Sequence, residues 1–248
     1  MRFNRFQKSN DNWMNVAVKN EVVQSSASKT IAGVYGWMTL GVFLSALSGV
    51  GLIQTGAIQS ILSFGSGAVI GLFIVQMALV MGMSFAAEKL SSQALKGMFL
   101  LYSLLTGVTF SIIMVVYPIG NVISLFFVAA LGFAGLALFG AVTKKNLGFM
   151  STFLFMGLLM VVGASVVNVF VQSEMLNSFA GWAGILVFSG LTAYDSQRIR
   201  EGSYALAEQT SGNNEAMSKF MIFGALTMYL NFINLFLSLL RIFGGRRD

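Results

Sequence analysis

The sequence predicts an all-α integral membrane protein, a bundle of seven transmembrane helices, from its composition and from the spacing of its charges. Hydrophobic residues make up 56% of the 248 positions and charged residues only 10%, whereas soluble domains carry about 25% charged residues. The mean hydropathy is +0.79. A chain with so few charged residues cannot form a polar surface over the whole molecule. The lipid bilayer is therefore its predicted surroundings and a predicted partner.

Long uncharged runs define the predicted spans. No charged residue lies between Lys29 and Glu88 or between Lys96 and Lys144, and one transmembrane helix needs about 20 apolar residues. Each interval therefore holds two helices, and a turn at 117–121, with the only proline, divides the second interval. Barrel strands are about ten residues long and alternate in polarity, so helices are predicted throughout. The seven candidate spans are residues 31–53 and 68–87, one helix on each side of that turn, and residues 149–170, 178–194 and 220–240. Residues 202–214 are predicted to be a polar loop.

The distribution of Lys and Arg predicts the orientation. Cytoplasmic loops are enriched in these residues, and here they occupy the first tail and then alternate loops. This pattern places the N-terminus in the cytoplasm, with a cytoplasmic tail at 1–30, a transmembrane domain at 31–243 and a short tail at 244–248. Seven spans leave Arg241, Arg246 and Arg247 on the outer side, so either the last helix overrides the rule or it dips and returns; seven full spans are favoured. The residues that set the orientation are Arg2, Arg5, Lys8, Lys19, Lys29, Lys89, Lys96, Lys144, Lys145, Arg198, Arg200 and Lys219.

Absent residue types exclude several functions. The chain contains neither cysteine nor histidine, which rules out disulfides, thiol nucleophiles and Ser/His catalysis and removes the commonest metal ligand. No lysine lies within a span to form a Schiff base, and no arginine lies within one to sense voltage. The net charge of +6 belongs to the loops, so we predict neither an enzyme nor a nucleic-acid-binding protein.

Asp195 is the acidic residue that most needs an explanation, because it directly follows the apolar run that ends at Tyr194. One interpretation is an interfacial carboxylate that pairs with Arg198 or Arg200. The other is a buried acid that faces the bundle interior. A charge at membrane depth costs about 2.5–3.5 kcal/mol on insertion scales, so an acid kept there is a candidate for a group that changes the conformation as it titrates.

The last span carries the second polar group. Asn231 and Asn234 are three residues apart and share a helix face, and Tyr229 lies on the adjacent shoulder. Hydrogen bonds between helices are the simpler explanation for these side chains.

The sequence also resembles the Bax inhibitor family, the transmembrane Bax-inhibitor-motif proteins. The resemblance rests on AYDSQRI at 193–199, VYGWM at 34–38 and YLNFINLF at 229–236, with Phe99 to Tyr102 in the third span. It extends over the chain beyond the N-terminal tail, and the ending GGRRD resembles that of bacterial members. The resemblance implies seven helices with the last one central, and a pH-sensitive calcium leak. In that scheme two aspartates, on the sixth and seventh helices, share a proton, and an arginine from the second helix binds the first of them.

This sequence keeps part of that arrangement. Asp195 matches the aspartate of the sixth helix, Asn231 stands where the seventh helix would carry the other, and the second span contains no arginine. An Asp–Asn pair has one titrating group and therefore no coupled second step. The predicted site comprises the gating residues Asp195 and Asn231, the supporting residues Tyr194, Arg198, Tyr229 and Asn234, and Asp195 as a transient calcium ligand, with no resident cofactor.

Two functions follow from the resemblance. The first is a calcium leak channel of the bacterial inner membrane, gated at Asp195. The alternative is a non-channel modulator of a membrane-anchored AAA protease, or of a stress or cell-survival response, that acts through protein contacts. The polar N-terminal tail is the predicted contact region in the second case.

Overall fold

The structure is a computed structural model that describes residues 3–210 and 213–245, and the side chains of residues 18–65, 67–210 and 213–245. The described part is almost entirely helical and contains no strand. Tail positions 246–248, with Arg246 and Arg247, and Arg2 at the other end lie outside the described residues. The helices are α1 (Phe3–Gln54), α2 (Ala57–Ser63), α3 (Ser66–Phe85), α4 (Ser92–Val116), α5 (Ile119–Val142), α6 (Ser151–Val171), α7 (Glu174–Thr210) and α8 (Asn214–Phe243), with one 3-10 turn at Gly148–Met150.

Seven of these helices are long and apolar enough to cross a membrane, judged by length and composition over the described residues. They are α1 from Val18 onward and α3 to α8, so the predicted all-α membrane bundle of seven spans is confirmed. The connector between the first two spans folds into the short helix α2. Gly56 (φ 71°) and Gly65 (φ 68°) flank this helix, and left-handed backbone of that kind favours glycine.

The last helix, α8, is the most buried of the seven. It packs against α1, α4, α5 and α7, and its side chains Met228, Tyr229 and Phe236 are among the largest fully buried groups. The finer expectation, that all six other helices surround α8, stays a prediction.

Helix α7 is longer than the sequence predicted. The sixth span was expected to end at residue 194 and to lead into a loop at 202–214, but α7 continues to Thr210. Small side chains explain the extension: Ala207 is fully buried and packs with Ala27 of α1 and Met217 of α8. The prediction of a loop from residue 202 is therefore wrong, because one apolar stripe on a mostly polar segment is sufficient to dock a helix.

Contacts between loops define the two ends of the bundle. At one end, the Lys219 ammonium donates to the backbone carbonyls of Ala87 (3.3 Å) and Glu88 (3.4 Å), and Leu147 N–H donates to Gln197 (2.8 Å). At the other end, Asn121 donates to the carbonyl of Gly244 (2.7 Å). The loops rich in Lys and Arg thus share one end, and α8 runs unbroken to the opposite one. The alternative in which the last helix dips and returns is wrong.

Candidate functional site

Asp195 and Asn231 meet inside the bundle. The Nδ2 amide of Asn231 donates a hydrogen bond of 2.8 Å to Oδ2 of Asp195, and the two residues are only 5% and 8% exposed, respectively. Helices α7 and α8 run antiparallel and pack along their length, which brings the two residues to the same depth although they lie 36 positions apart. The position of Asp195 is that of the buried acid, one of the two interpretations of the sequence.

Small residues allow the helices to approach this closely. A Cβ atom at Gly140 of α5 would overlap the backbone carbonyl of Ala193 on α7. At Gly224 of α8 it would lie 2.9 Å from a methyl group of Val34 on α1. Close approach of backbones is the usual role of small residues between transmembrane helices. Gly140 therefore allows α5 to lie close to α7, and Gly224 allows α8 to lie close to α1.

A cavity of about 160 Å³ reaches Asp195. Its walls come from the part of α7 after Asp195 and the part of α8 before Asn231, including Arg198, Phe220 and Thr227, so it extends toward the end with the basic loops. The second oxygen of Asp195 has no hydrogen-bond partner among the described residues. Every fully buried side-chain oxygen in the described part of the chain does have a partner, so this oxygen is not fully buried. This oxygen must therefore face the cavity. One carboxylate oxygen binds α8 and the other can meet water or a cation.

The neighbouring arginines do not pair with Asp195. Arg200 donates to the carbonyls of Ala141 (2.6 Å) and Thr143 (3.3 Å) at the C-terminal end of α5 and forms an ion pair with Glu201 (3.3 Å). Arg198 is exposed and lines the cavity, without an ion pair to any described residue. Among the described residues Asp195 is thus buried and forms no ion pair with either arginine, and its role stays a prediction.

The other predicted residues lie outside this hydrogen bond. Tyr229 is fully buried, its hydroxyl 2.6 Å from that of Ser45 on α1. Asn234 donates to the carbonyl of Leu230 in its own helix (2.8 Å), so it does not join Asn231 in binding α7. Tyr194 is half-buried and forms no hydrogen bond with a described residue. The roles assigned to these side chains stay predictions.

Three polar residues near the pair were missed in the sequence. Ser196, next to Asp195, donates to the carbonyl of Ala137 on α5 (2.7 Å) and also binds the hydroxyl of Tyr35 on α1. Gln197 accepts from Leu147 N–H (2.8 Å) and donates to the carbonyl of Lys145 (2.8 Å). The sequence did contain one indication of these contacts: Ser196 and Gln197 are consecutive polar residues after an apolar run, and buried polar groups need hydrogen-bond partners.

The site holds few oxygen ligands for a cation. No group of three or more acidic residues lies together in the described part of the chain, whereas a resident calcium ion takes 6–8 oxygen ligands. Asp195 supplies one free carboxylate oxygen, and Thr227, whose hydroxyl donates to the carbonyl of Phe223 (3.0 Å), lines the same cavity. This donor set suits brief contact with a passing cation better than a stable calcium site.

Comparison with known proteins gives a consistent result. The model of the family described as inhibitor of apoptosis-promoting Bax1 matches residues 27–248. Inner membrane protein YbhL of Escherichia coli strain K12 is 42% identical over 217 residues, which cover 88% of this chain and 92% of YbhL. A protein of Borreliella burgdorferi is 37% identical (89% and 94% covered), and one of Deinococcus radiodurans is 35% identical (94% and 97% covered).

The family match at residues 27–248 includes both helices that carry the Asp195–Asn231 pair. The similarity to an inner membrane protein and the seven apolar helices support a place in the inner membrane. The chain is a multi-pass membrane protein and belongs to the Bax inhibitor family.

Proposed function

We propose that the protein is a pH-sensitive cation leak channel, with calcium as the transported ion, and that protonation of Asp195 controls it. The observation that carries this proposal is that the two carboxylate oxygens of Asp195 have different environments. One is bound to the most buried helix through Asn231 and the other faces the cavity. A change in the charge of this carboxylate therefore acts on helix packing and on the cavity together.

Asn231 is suited to serve both protonation states. An amide offers N–H donors and a carbonyl acceptor. The Nδ2 group donates to the ionised carboxylate, as in the structure, whereas a protonated carboxyl group needs an acceptor for its own O–H. Rotation of the amide by about half a turn presents Oδ1 instead. Protonation thus exchanges one hydrogen-bond pattern between α7 and α8 for another.

The chemistry differs from that of a carboxylate pair. Two acids in contact titrate in two coupled steps, whereas Asp195 titrates beside a neutral partner. We expect the calcium flux to follow a single-proton curve. Family membership supports the leak activity, and the substitution at Asn231 determines the shape of its pH response.

A calcium-flux titration in proteoliposomes tests the proposal. The purified full-length protein is reconstituted and the flux is measured across pH for wild type, Asp195→Asn and Asn231→Asp. Wild type should give a single-proton curve, Asp195→Asn should give a pH-independent flux, and Asn231→Asp should introduce a second titration. A pH-dependent flux that survives in Asp195→Asn would contradict gating at this residue, and the absence of flux in every variant would contradict the channel itself.

The second candidate, modulation of a membrane-anchored AAA protease or of a stress response, has one structural observation in its favour. The part of α1 that precedes the packed core exposes Val18 (59%), an apolar side chain that a partner could cover. Deletion of residues 1–21 leaves the contact of Ala27 with Ala207 and Met217 intact. In this case the deletion should abolish the effect on protease or stress response, while any flux stays unchanged. A deletion that changes the flux and leaves the cellular effect intact contradicts this candidate.

A further inference from the structure

A deep groove lies between α1 and α5, with Phe232 of α8 as its floor. Its volume is about 510 Å³, within the range of about 300–1,000 Å³ that small-molecule sites occupy. Its walls are apolar: Met38 and Val42 on α1 face Ala130 and Ala134 on α5. The alanines create the space, because a larger side chain at those positions would fill it.

The groove follows the length of a hydrocarbon chain. Its α5 wall runs from Phe126 to Ala141, which at 1.5 Å per residue is about 22 Å. Leu138 on its rim is 65% exposed, so the groove opens sideways toward the surroundings of the bundle. In a membrane protein those surroundings are acyl chains.

Water is a poor occupant of this groove. A buried water molecule needs two to four polar partners, but the polar groups along the walls are already engaged. The Tyr35 hydroxyl binds Ser196, and the Thr39 hydroxyl donates to the Tyr35 carbonyl (2.8 Å). The remaining wall residues are hydrophobic.

A cationic cluster lies at one end of the groove. Ala141 lines the groove, and its carbonyl accepts a hydrogen bond of 2.6 Å from Arg200. Lys144 and Lys145 follow α5 directly and are exposed, against the single acid Glu201 in this cluster. Arginine has five N–H donors, and the contacts of Arg200 use three of them. A phosphate group at the membrane surface can take the others.

We propose that this groove binds an anionic phospholipid, with one acyl chain between α1 and α5 and the phosphate at Arg200. The apolar walls select hydrocarbon, and the positive end of the groove selects a negatively charged headgroup over a zwitterionic one. The lipid lies beside Tyr35, whose hydroxyl binds the residue next to Asp195. The site is separate from the cavity that reaches Asp195, so the proposal does not depend on channel activity.

Native mass spectrometry of the full-length protein tests the proposal. The detergent-solubilised protein is incubated with equal amounts of phosphatidylglycerol and phosphatidylethanolamine, and the bound lipid is quantified. A surface Lys or Arg contributes about 1 kcal/mol toward an anionic lipid, so Arg200→Gln should lower phosphatidylglycerol binding about fivefold. The matched control, Lys89→Gln, removes a cation from the α3–α4 loop at the same end of the bundle and should leave binding unchanged.

A second pair of variants tests the groove itself. Ala134→Phe fills the groove and should abolish lipid retention, whereas Ala78→Phe makes the same change at an exposed position of α3 and should not. Each variant is first checked to be monodisperse and helical. The two pairs of variants change different residues, so they test the headgroup site and the acyl-chain groove independently. Equal retention of the two phospholipids, full retention by Ala134→Phe, or binding of a free fatty acid in place of phospholipid would overturn the proposal.

Discussion

Asn231 on α8 is the hydrogen-bond partner of Asp195 on α7, at 2.8 Å, in a region where both side chains are more than nine-tenths buried. The pair joins the most buried helix, α8, to its antiparallel neighbour α7. Its one titrating group is held by a neutral amide. Several consequences of this packing can be measured without any assay of flux.

Removal of the amide should destabilise the fold in a pH-dependent way. Asn231→Leu leaves the Asp195 carboxylate buried without its donor, and an unsatisfied buried polar group costs about 1–3 kcal/mol, more when it is charged. The loss should therefore be largest at high pH, where the carboxyl is ionised, and should shrink as the pH falls and the group becomes neutral. Thermal unfolding in detergent at several pH values measures it. In the double variant Asp195→Asn/Asn231→Leu the pH dependence should disappear, and a loss that grows toward low pH would contradict the explanation.

The close contact of α5 with α7 should not tolerate a methyl group at Gly140. Gly140→Ala brings a Cβ against the carbonyl of Ala193, and overpacking of this kind costs about 1–3 kcal/mol. Gly135 lies on the same helix with open space around its Cβ position, so Gly135→Ala is the matched control and should keep or slightly raise the melting temperature. Equal melting temperatures for the two variants would contradict this packing.

The hydroxyl and the ring of Tyr229 should make separable contributions to stability. Tyr229→Phe removes the hydroxyl, which binds that of Ser45 (2.6 Å), and should cost about 1 kcal/mol. Tyr229→Ala also removes the ring, which packs edge-on against Phe99 at 5.7 Å and Tyr102 at 5.8 Å, and should cost about 3–5 kcal/mol. Chemical unfolding in mixed micelles compares the two. A similar loss in both variants would mean that the ring packing contributes little.

Glu215 should protect the first turn of α4 from exchange with solvent. Its carboxylate accepts hydrogen bonds of 2.7 Å from both the N–H and the hydroxyl of Ser92, and a negative charge at a helix N-terminus is favourable. Glu215→Gln should increase hydrogen–deuterium exchange in residues 92–95, with Glu208→Gln as the control for loss of an exposed acid on α7. Unchanged exchange would show that the contact does not hold this turn.

The orientation can be tested by cysteine labelling, because the chain has no cysteine of its own. With the N-terminus in the cytoplasm, Lys89→Cys should react with a membrane-impermeant thiol reagent only after the cells are permeabilised. Ser173→Cys and Gly245→Cys lie at the opposite end of the bundle and should react in intact cells. The reverse pattern would invert the topology, and protection of Gly245→Cys alone would contradict an outer C-terminus.

The spans were predictable because hydropathy alone determines which segments can cross a bilayer. The contents of the site were only partly predictable. The sequence left Asp195 either at the interface with an arginine or inside the bundle, since both positions follow an apolar run. In the structure Asp195 is buried, and Arg200 binds the carbonyls of α5 and Glu201 instead of Asp195. The carbonyl groups that bind Arg200 could not be predicted from the pattern of side chains, because they belong to the backbone at the end of α5.

The continuation of α7 was missed for a related reason. Residues such as Glu201, Tyr204 and Glu208 give this segment the composition of a loop, and they are exposed in the helix as well. Only Ser203 and Ala207 are buried there, and two small side chains carry little signal in hydropathy. Tyr35 was missed because its partner, Ser196, lies 161 positions away.

The cavity at Asp195 opens toward one end of the bundle only, so the two sides of the membrane are not equivalent for this residue. It is walled by residues that lead toward the basic loops, whereas Phe126 of α5 packs edge-on against Phe232 and Phe236, which follow Asn231 on α8. A proton that reaches the carboxylate through this cavity comes from one compartment. Under the proposed gating, the acidity of that compartment, and not that of the opposite one, sets the charge of Asp195. Such a proton crosses only part of the membrane's electric field, so a voltage across the bilayer would shift the titration of the site.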